Sequence, residues 1–145
     1  MAIQVGGTTV IDNSRNLTNV VGATLSGTLT TTKIAETLVA VGNSGTAATL
    51  NLASGTVFTV TLNGNATLTI TNATGVSAFT VILTNDGSAG RTVAWAYSGG
   101  TFKFPGGAAT LSRSTGAGAI DVWTFFSPDA GTTWYGNHTM KNLTT

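Results

Sequence analysis

The fold is decided by Ala119–Gly136, AIDVWTFFSPDAGTTWYG. In its first half, residues 120–127, successive side chains point to opposite faces of a strand, and both faces carry large apolar groups. This pattern predicts a central strand that is covered on both faces. Residues 127–133 have turn chemistry, because Asp129 can bond backbone N–H groups and Gly131 can adopt positive φ. Trp134 then begins the returning strand, so we predict the core hairpin of a β-sandwich.

The composition indicates a β protein that associates with other subunits. The chain has 145 residues, enough for one domain or a domain with an arm, and only 8% of them are charged. A charged fraction of about 25% is usual. Thr, Ser, Asn and Gly supply the polarity instead, and Thr suits strands. So few charges protect a monomer poorly against association and leave strand edges unguarded. We therefore expect the surface to be covered by copies of the chain or by a larger assembly.

Several classes of function are disfavoured by the sequence. The net charge of +1 gives no basis for binding nucleic acid or an anionic membrane. The absence of cysteine excludes disulfides and thiolate metal sites. No apolar run approaches the roughly 20 residues of a membrane-spanning helix, and the first residues lack the features of a secretory signal. We expect a soluble protein that folds in a cytoplasm.

The chain divides by composition into an arm, a domain and a tail. Residues 1–45 contain no aromatic side chain and predict an extended N-terminal β arm that cannot form a core alone. Within the arm, residues 33–41 fit either a helix or a strand, and we favour a strand. Residues 46–136 alternate apolar and polar side chains between turn signals at about 8–12-residue spacing, which predicts an antiparallel β-sandwich or jelly-roll-like domain. Asn63-Gly64 predicts a hairpin turn inside it, and residues 137–145 predict a polar C-terminal tail.

One motif has a structural role in other proteins. Ser127, Asp129, Gly131 and Trp134 match S-x-D-x-G-x-x-W, a pattern that resembles the Asp-box of sialidase propellers. The resemblance implies a structural turn that lies away from any active site. Such propellers carry several copies, whereas this chain has one copy and is too short for that fold. A glycosidase-related enzyme therefore rests on this motif alone, and we favour the turn-shaping role.

The remaining polar residues do not assemble into a catalytic or metal site in the sequence. His138 is the single histidine, so a metal or triad role lacks partners and we predict an exposed or stacking ring. Asp86 is predicted to be a turn residue. Asp121 lies among apolar neighbours and should either pair with Arg91 or Arg113 or accept backbone hydrogen bonds. We expect no catalytic residue, no metal and no cofactor.

Two stretches resemble virion proteins of tailed phages. Residues 9–20, TVIDNSRNLTNV, resemble the VIDSSRNLTNI segments of fibre and appendage proteins from marine and cyanobacterial phages. Residues 57–70, together with 90–95 and the 121–136 hairpin, are similar to a β-domain of the same kind of protein. The resemblance implies a non-enzymatic structural protein of the virion surface: a capsid decoration, a head spike or a short fibre.

The resemblance also implies a homotrimer that attaches to a major capsid or tail protein of the virion. An arm without a core of its own agrees with this, since it can bury apolar side chains only against its copies or a neighbour. The residues predicted for this assembly arm are Val10, Ile11, Asn13, Arg15, Leu17 and Val20.

The aromatic residues leave an alternative function open. A group of Trp and Tyr side chains exposed together would form a platform on which sugar rings stack. Core packing is favoured, because a domain of this size needs most of its aromatic residues inside. The alternative is a carbohydrate-binding β-sandwich module that adsorbs to a host-surface glycan. The residues concerned are Trp95, Tyr97, Trp123, Trp134 and Tyr135.

Overall fold

The computed structural model describes residues 3–5, 8–11, 28, 30–107 and 113–144. The chain divides into two compact units, Met1–Ile34 and Ala35–Thr145. Every regular element in the described residues is a β-strand. The predicted all-β class is therefore confirmed.

In the first unit the described strands form a hairpin. Strand β1 (Ile3–Val5) pairs antiparallel with β2 (Thr8–Ile11). Val10 and Ile11 of the predicted assembly arm belong to β2. The other four residues of that arm, Asn13, Arg15, Leu17 and Val20, lie outside the described residues. The extended arm and its role in assembly thus stay predictions.

The second unit contains two sheets. A six-stranded sheet has the strand order β3-β5-β7-β10-β11-β9, and a three-stranded sheet has the order β4-β6-β8. The strands are β3 (Leu38–Asn43), β4 (Ala47–Asn51), β5 (Val57–Leu62), β6 (Ala66–Thr71), β7 (Ser77–Asn85), β8 (Val93–Ala96), β9 (Thr101–Lys103), β10 (Ile120–Ser127) and β11 (Thr133–Leu143).

Strands β3 to β8 wind around a common axis like a short β-solenoid, which we call the coil. Consecutive strands alternate between the two sheets, so that β3, β5 and β7 run parallel in one and β4, β6 and β8 run parallel in the other. The chain therefore winds through both sheets three times. The antiparallel, jelly-roll-like arrangement predicted for this region is wrong for these strands. Alternating polarity shows which side chains are buried, but it is the same for parallel and antiparallel neighbours.

The predicted hairpin at Asn63-Gly64 is also wrong, because this turn carries the chain from one sheet to the other. Asn63 Oδ1 accepts the Gly45 N–H at 2.8 Å, and Asn65 Oδ1 accepts the Thr92 N–H at 3.0 Å. Gly45 and Thr92 lie at the equivalent corners of the preceding and following turns of the coil. A Cβ added at Gly64 would lie 2.9 Å from the Gly45 carbonyl oxygen, so the close contact between corners requires glycine there. The two asparagines tie successive corners together.

The predicted core hairpin is present. Strand β10 pairs antiparallel with β11 on one side and with β7 on the other, so it is central, as predicted. Within one chain only one of its faces is covered, contrary to the prediction. Trp123 and Phe125 are buried, whereas Phe126, which points the other way, is 44% exposed. The hairpin thus covers the edge of β7, the last strand of the coil in this sheet.

One apolar core lies between the two sheets, which gives the second unit a sandwich-like arrangement. Its centre is aromatic, with the Phe79 ring stacked on Phe125 at a centroid distance of 4.9 Å and edge-on to Trp134 at 5.3 Å. Burial of each large apolar side chain contributes about 1.5–3 kcal/mol. Both sheets supply buried residues, including Leu50, Leu68 and Ile70 from one and Phe58, Val60, Leu62, Val81, Leu83 and Trp123 from the other.

Two boundaries differ from those drawn on the sequence. Leu38–Asn43, part of the predicted 1–45 arm, is a strand that pairs with Val57–Leu62 inside the second unit. Within 33–41, the strand thus covers residues 38–41, and residues 33–37 have no regular structure. Residues 137–143, predicted to be part of the tail, continue β11 and end opposite Ile120.

Candidate functional site

The structure brings the four Asp-box residues together in the turn between β10 and β11. Ser127 Oγ accepts the Gly131 N–H at 2.8 Å and donates to Asp129 Oδ1 at 3.0 Å. Asp129 Oδ1 also accepts the Thr133 N–H at 2.8 Å. The hydrogen bond from Thr133 lowers the pKa of Asp129, which keeps this acceptor ionised. These contacts close the turn on itself.

The same turn is fixed to the core from inside. Trp134 is fully buried and meets the Tyr97 ring at a centroid distance of 5.8 Å. The Tyr97 hydroxyl donates to the Ala130 carbonyl at 3.1 Å. Gly131 has φ +92°, and a Cβ there would lie 2.5 Å from the Tyr97 ring. The Ser127 hydroxyl and the Asp129 carboxylate therefore serve the backbone of the turn, as expected for a structural element.

A second polar cluster is built around Asp121, whose side chain is 1% exposed. Its Oδ2 accepts the Ser114 N–H at 2.8 Å and its Oδ1 accepts the Asn142 N–H at 3.0 Å. Within the described residues, neither Arg91 nor Arg113 forms an ion pair with Asp121. The prediction of backbone hydrogen bonds is thus confirmed for this carboxylate. Asp121 thereby joins the segment that precedes β10 to the end of β11.

The charge state of Asp121 follows from these contacts. Burial by itself raises the pKa of this carboxyl, but the hydrogen bonds from Ser114 and Asn142 and the nearby His138 outweigh it and lower the pKa below its ordinary value. A buried carboxylate that stays ionised must keep its hydrogen-bond donors. Asp121 is therefore an anchor that depends on two distant backbone groups.

The two arginines have other partners. Arg91 forms an ion pair with Asp86 at 2.9 Å, and Asp86 also accepts the Ser88 N–H at 2.9 Å, as a turn residue should. The pKa of Asp86 is lowered, chiefly by its hydrogen bond to Arg91. Arg113 donates to Asn85 Oδ1 at 2.5 Å and to the Arg91 carbonyl. Asn85 in turn donates to the Ser114 and Gly116 carbonyls, at 3.1 and 2.7 Å.

His138 lies beside Asp121. Its ring stacks on Trp123 at a centroid distance of 4.3 Å and an interplanar angle of 6°, which confirms the stacking alternative. Its Nε2 is 3.5 Å from Asp121 Oδ1. The buried Ser114 hydroxyl lies near the same carboxylate. A catalytic triad needs a histidine that takes the proton of the nucleophile, and no such bond joins Ser114 to His138 in the described residues.

The five aromatic residues do not form one platform. Trp123 and Trp134 belong to the core, whereas Tyr135 is 47% exposed on the opposite side of its sheet. Trp95 and Trp123, 5.7 Å apart between centroids, line a cleft of about 690 Å³. Phe102, Phe104, Arg91 and Arg113 complete this aromatic cleft.

Three residues that line the aromatic cleft have buried N–H groups without an acceptor. Within the described residues, Nε1 of Trp95, Nε1 of Trp123 and Nε of Arg113 have no acceptor. Because these atoms are buried, the aromatic rings are what the cleft presents to a ligand, and they suit a flat apolar group. The sequence did not single out Arg113, Phe102 or Phe104 for this cleft. The two tryptophans are 28 residues apart in sequence, and the pairing of β9 with β11 places Phe102 next to Trp134 in the sheet that contains Trp123.

No three His, Asp or Glu side chains lie together as metal ligands in the part of the chain that the structure describes. The same residues contain no helix long and apolar enough to cross a membrane. No family model, no curated protein and no solved structure matches this chain.

Proposed function

We propose that this chain is a non-enzymatic structural component of a bacteriophage virion surface, a capsid decoration, head spike or short fibre, and that it assembles as a homo-oligomer. One observation supports a mechanical role best. Each of the four acidic residues in the described part of the chain holds the backbone or a neighbouring side chain in place. Glu36 accepts the Thr56 hydroxyl at 2.8 Å, and the other three, Asp86, Asp121 and Asp129, fix turns and chain ends.

The architecture supports the same role. Each inner strand of the coil is bonded along its length to two neighbours, and the Asn63 and Asn65 side chains join successive corners. The Asp-box turn and Asp121 hold the closing hairpin at its two ends. A body tied at many separated points resists partial opening, which is useful to a protein exposed on a particle.

The N-terminal arm attaches the protein to the virion in this proposal. Its residues Val10, Ile11, Asn13, Arg15, Leu17 and Val20 dock on a major capsid or tail protein or wind around two further copies in a homotrimer. The resemblance of residues 9–20 to phage appendage segments supports this assignment. The sandwich-like unit then stands outward.

Immunogold electron microscopy of the intact particle tests the proposal. Antibodies against residues 46–136 should label regular positions on the head or tail. Deletion of residues 1–30 should abolish labelling of particles assembled with the variant, while the purified variant keeps its β-type circular dichroism. Particles without label, or labelling that survives the deletion, would contradict the proposed role or the proposed attachment, respectively.

The aromatic cleft favours a second candidate, a carbohydrate-binding module. Its flat aromatic rings suit the stacking of sugar rings. A glycan array with the wild-type protein and a Trp95→Ala variant tests this function. Binding that is lost in W95A but kept in the control Tyr135→Ala, on the other side of the sheet, would support it. Equal binding by both variants would exclude the aromatic cleft as the glycan-binding site.

A further inference from the structure

The six-stranded sheet has a second face that does not touch the core. We call it the outer face; it consists of the side chains of β3, β5, β7, β10 and β11 that point away from the core. These side chains are aligned across the sheet where the strands pair directly, and β-bulges interrupt this register between β10 and β11 and between β3 and β5. One complete row across the face consists of Ala40, Thr59, Ile82, Val122 and Met140.

The outer face carries most of the large apolar groups that the described residues leave exposed. Five of the seven lie on it, with exposures between 41% and 60%. Leu143 is opposite Ile120, Met140 is opposite Val122, and Phe126 is opposite Tyr135 in the strand register, so each pair shares this face. The five residues are Leu38, Phe126, Tyr135, Met140 and Leu143. So many exposed apolar groups on one face indicate an interaction surface.

The outer face also lacks charge at its centre. The outward residues of β5, β7 and β10 are all Val, Ile, Thr, Ala or Phe. The lysines of this sheet lie towards its other edge: Lys141 is on β11, and Lys103 is on the terminal strand β9 with its Nζ 5.7 Å from the Tyr135 ring centre. A sheet face in contact with water usually carries charged side chains. A face without them offers nothing to a charged partner and does not repel its own copy.

We propose that the outer face is the surface through which copies of this chain associate, each packing its outer face against that of a neighbouring copy. Packing of one face against the same face of another copy joins copies in pairs, so this contact is separate from the homotrimer contact of the arm. The inference rests on the homo-oligomer of the proposed function and adds this second interface to it. Sheets pack face to face at about 10 Å through Val, Ile, Thr and aromatic side chains of this kind.

The area of the outer face is large enough for an interface with a second copy of the chain. Five strands at about 4.8 Å spacing span about 24 Å, and six or seven residues at about 3.3 Å each span about 20 Å. The face thus covers about 500 Å² per copy, or about 1,000 Å² for two copies, before the relief of the side chains is added. A specific interface begins at about 1,000 Å² in total.

Two threonine-to-lysine variants of the full chain test the inference. Thr124 lies near the middle of the outer face, and Thr69 lies near the middle of β6 and points outward from the other sheet. Both are half-buried, so T69K is a matched control for T124K. In sedimentation velocity over about 1–100 μM, a buried unpaired lysine should weaken association of T124K at least about 100-fold. T69K should sediment as the wild type does.

A further variant guards against a failure to fold. Phe126→Ser changes an exposed side chain at the edge of the face, and should weaken association about 10-fold or more without changing the circular dichroism spectrum. Wild-type association that T124K and F126S leave unchanged, or that T69K weakens equally, would overturn the inference.

The same data separate this inference from the proposed function. A wild type that stays monomeric, but is labelled regularly on the particle, overturns the interface and leaves the virion role intact. A monomer whose labelling is lost in T124K would assign the face to another virion protein and would also overturn the inference. Association that is lost in T124K, with no label on any particle, would support the interface and refute the virion role.

Discussion

Replacement of Asp121 by alanine tests whether one buried carboxylate holds the closing hairpin in place. Asp121 accepts the N–H groups of Ser114 and Asn142 at 2.8 and 3.0 Å, and its side chain is 1% exposed. Both donors lose their acceptor in D121A. A buried donor without a partner costs about 1–3 kcal/mol, so we expect the free energy of unfolding to fall by about 3–5 kcal/mol.

Urea unfolding followed by tryptophan fluorescence measures this loss, and an unchanged m-value shows that the same surface is exposed on unfolding. Asp121→Asn keeps an oxygen for one donor and should lose about half as much. Asp86→Ala is the control, because Asp86 is a partly exposed acid in a turn and its removal should cost less. If D121A is no less stable than D86A, the anchoring role of Asp121 is refuted.

The pH dependence gives an independent check on the same residue. The pKa of Asp121 is lower in the folded protein than in the unfolded chain, where it is about 3.9. Its contribution is therefore fully present above about pH 4 and is lost as the pH falls through the folded value. The stability difference between wild type and D121N should shrink below about pH 4. A difference that stays constant from about pH 5 to about pH 2.5 would contradict this reasoning.

Three further substitutions test the turn, the core and the corners. Gly131→Ala should lower the free energy of unfolding by about 2–3 kcal/mol, because φ is +92° and the new Cβ would lie 2.5 Å from a tyrosine ring. Gly87→Ala, whose Cβ would meet no atom within 4 Å, should change thermal stability little, and equal losses would count against the turn argument. Leu68→Ala should lose about 2–5 kcal/mol in chemical unfolding, and a loss below about 1 kcal/mol would place this side chain outside the core. Asn63→Ala should lose about 1 kcal/mol or less and speed hydrogen exchange of the Gly45 amide, and an unchanged exchange rate would refute the corner bond.

The sequence predicted the burial of side chains better than the pairing of strands. Phe58, Val60 and Leu62 alternate with threonines, and they point into the core as expected. The same alternation cannot show which strand lies next to which. Asn63-Gly64 suggested a hairpin, but both edges of β5 are occupied by β3 and β7, so β6 had to enter the other sheet.

The same distinction applies to the candidate sites. The Asp-box turn could be predicted because its residues lie within eight positions and bond to one another. The surroundings of Asp121 could not, because Asn142 is 21 residues away and reaches it only through the pairing of β10 with β11. Arg91 and Arg113 were equally plausible partners in the sequence, and the fold directs each to a different acceptor.

In the six-stranded sheet, the hairpin of β10 and β11 covers only one end of the coil formed by β3 to β8. The hairpin occupies the edge of β7, whereas among the described residues β3 is a terminal strand with a parallel partner on one side. An insertion that adds one complete winding, that is, two strands and their corners, could pair in parallel with β3 in one sheet and with β4 in the other. The side chains of the existing strands would then keep their inward or outward direction. A single residue inserted within a strand would instead exchange the two sides. Natural variants of this protein are therefore expected to change length by complete windings, while the tryptophan-containing end stays constant.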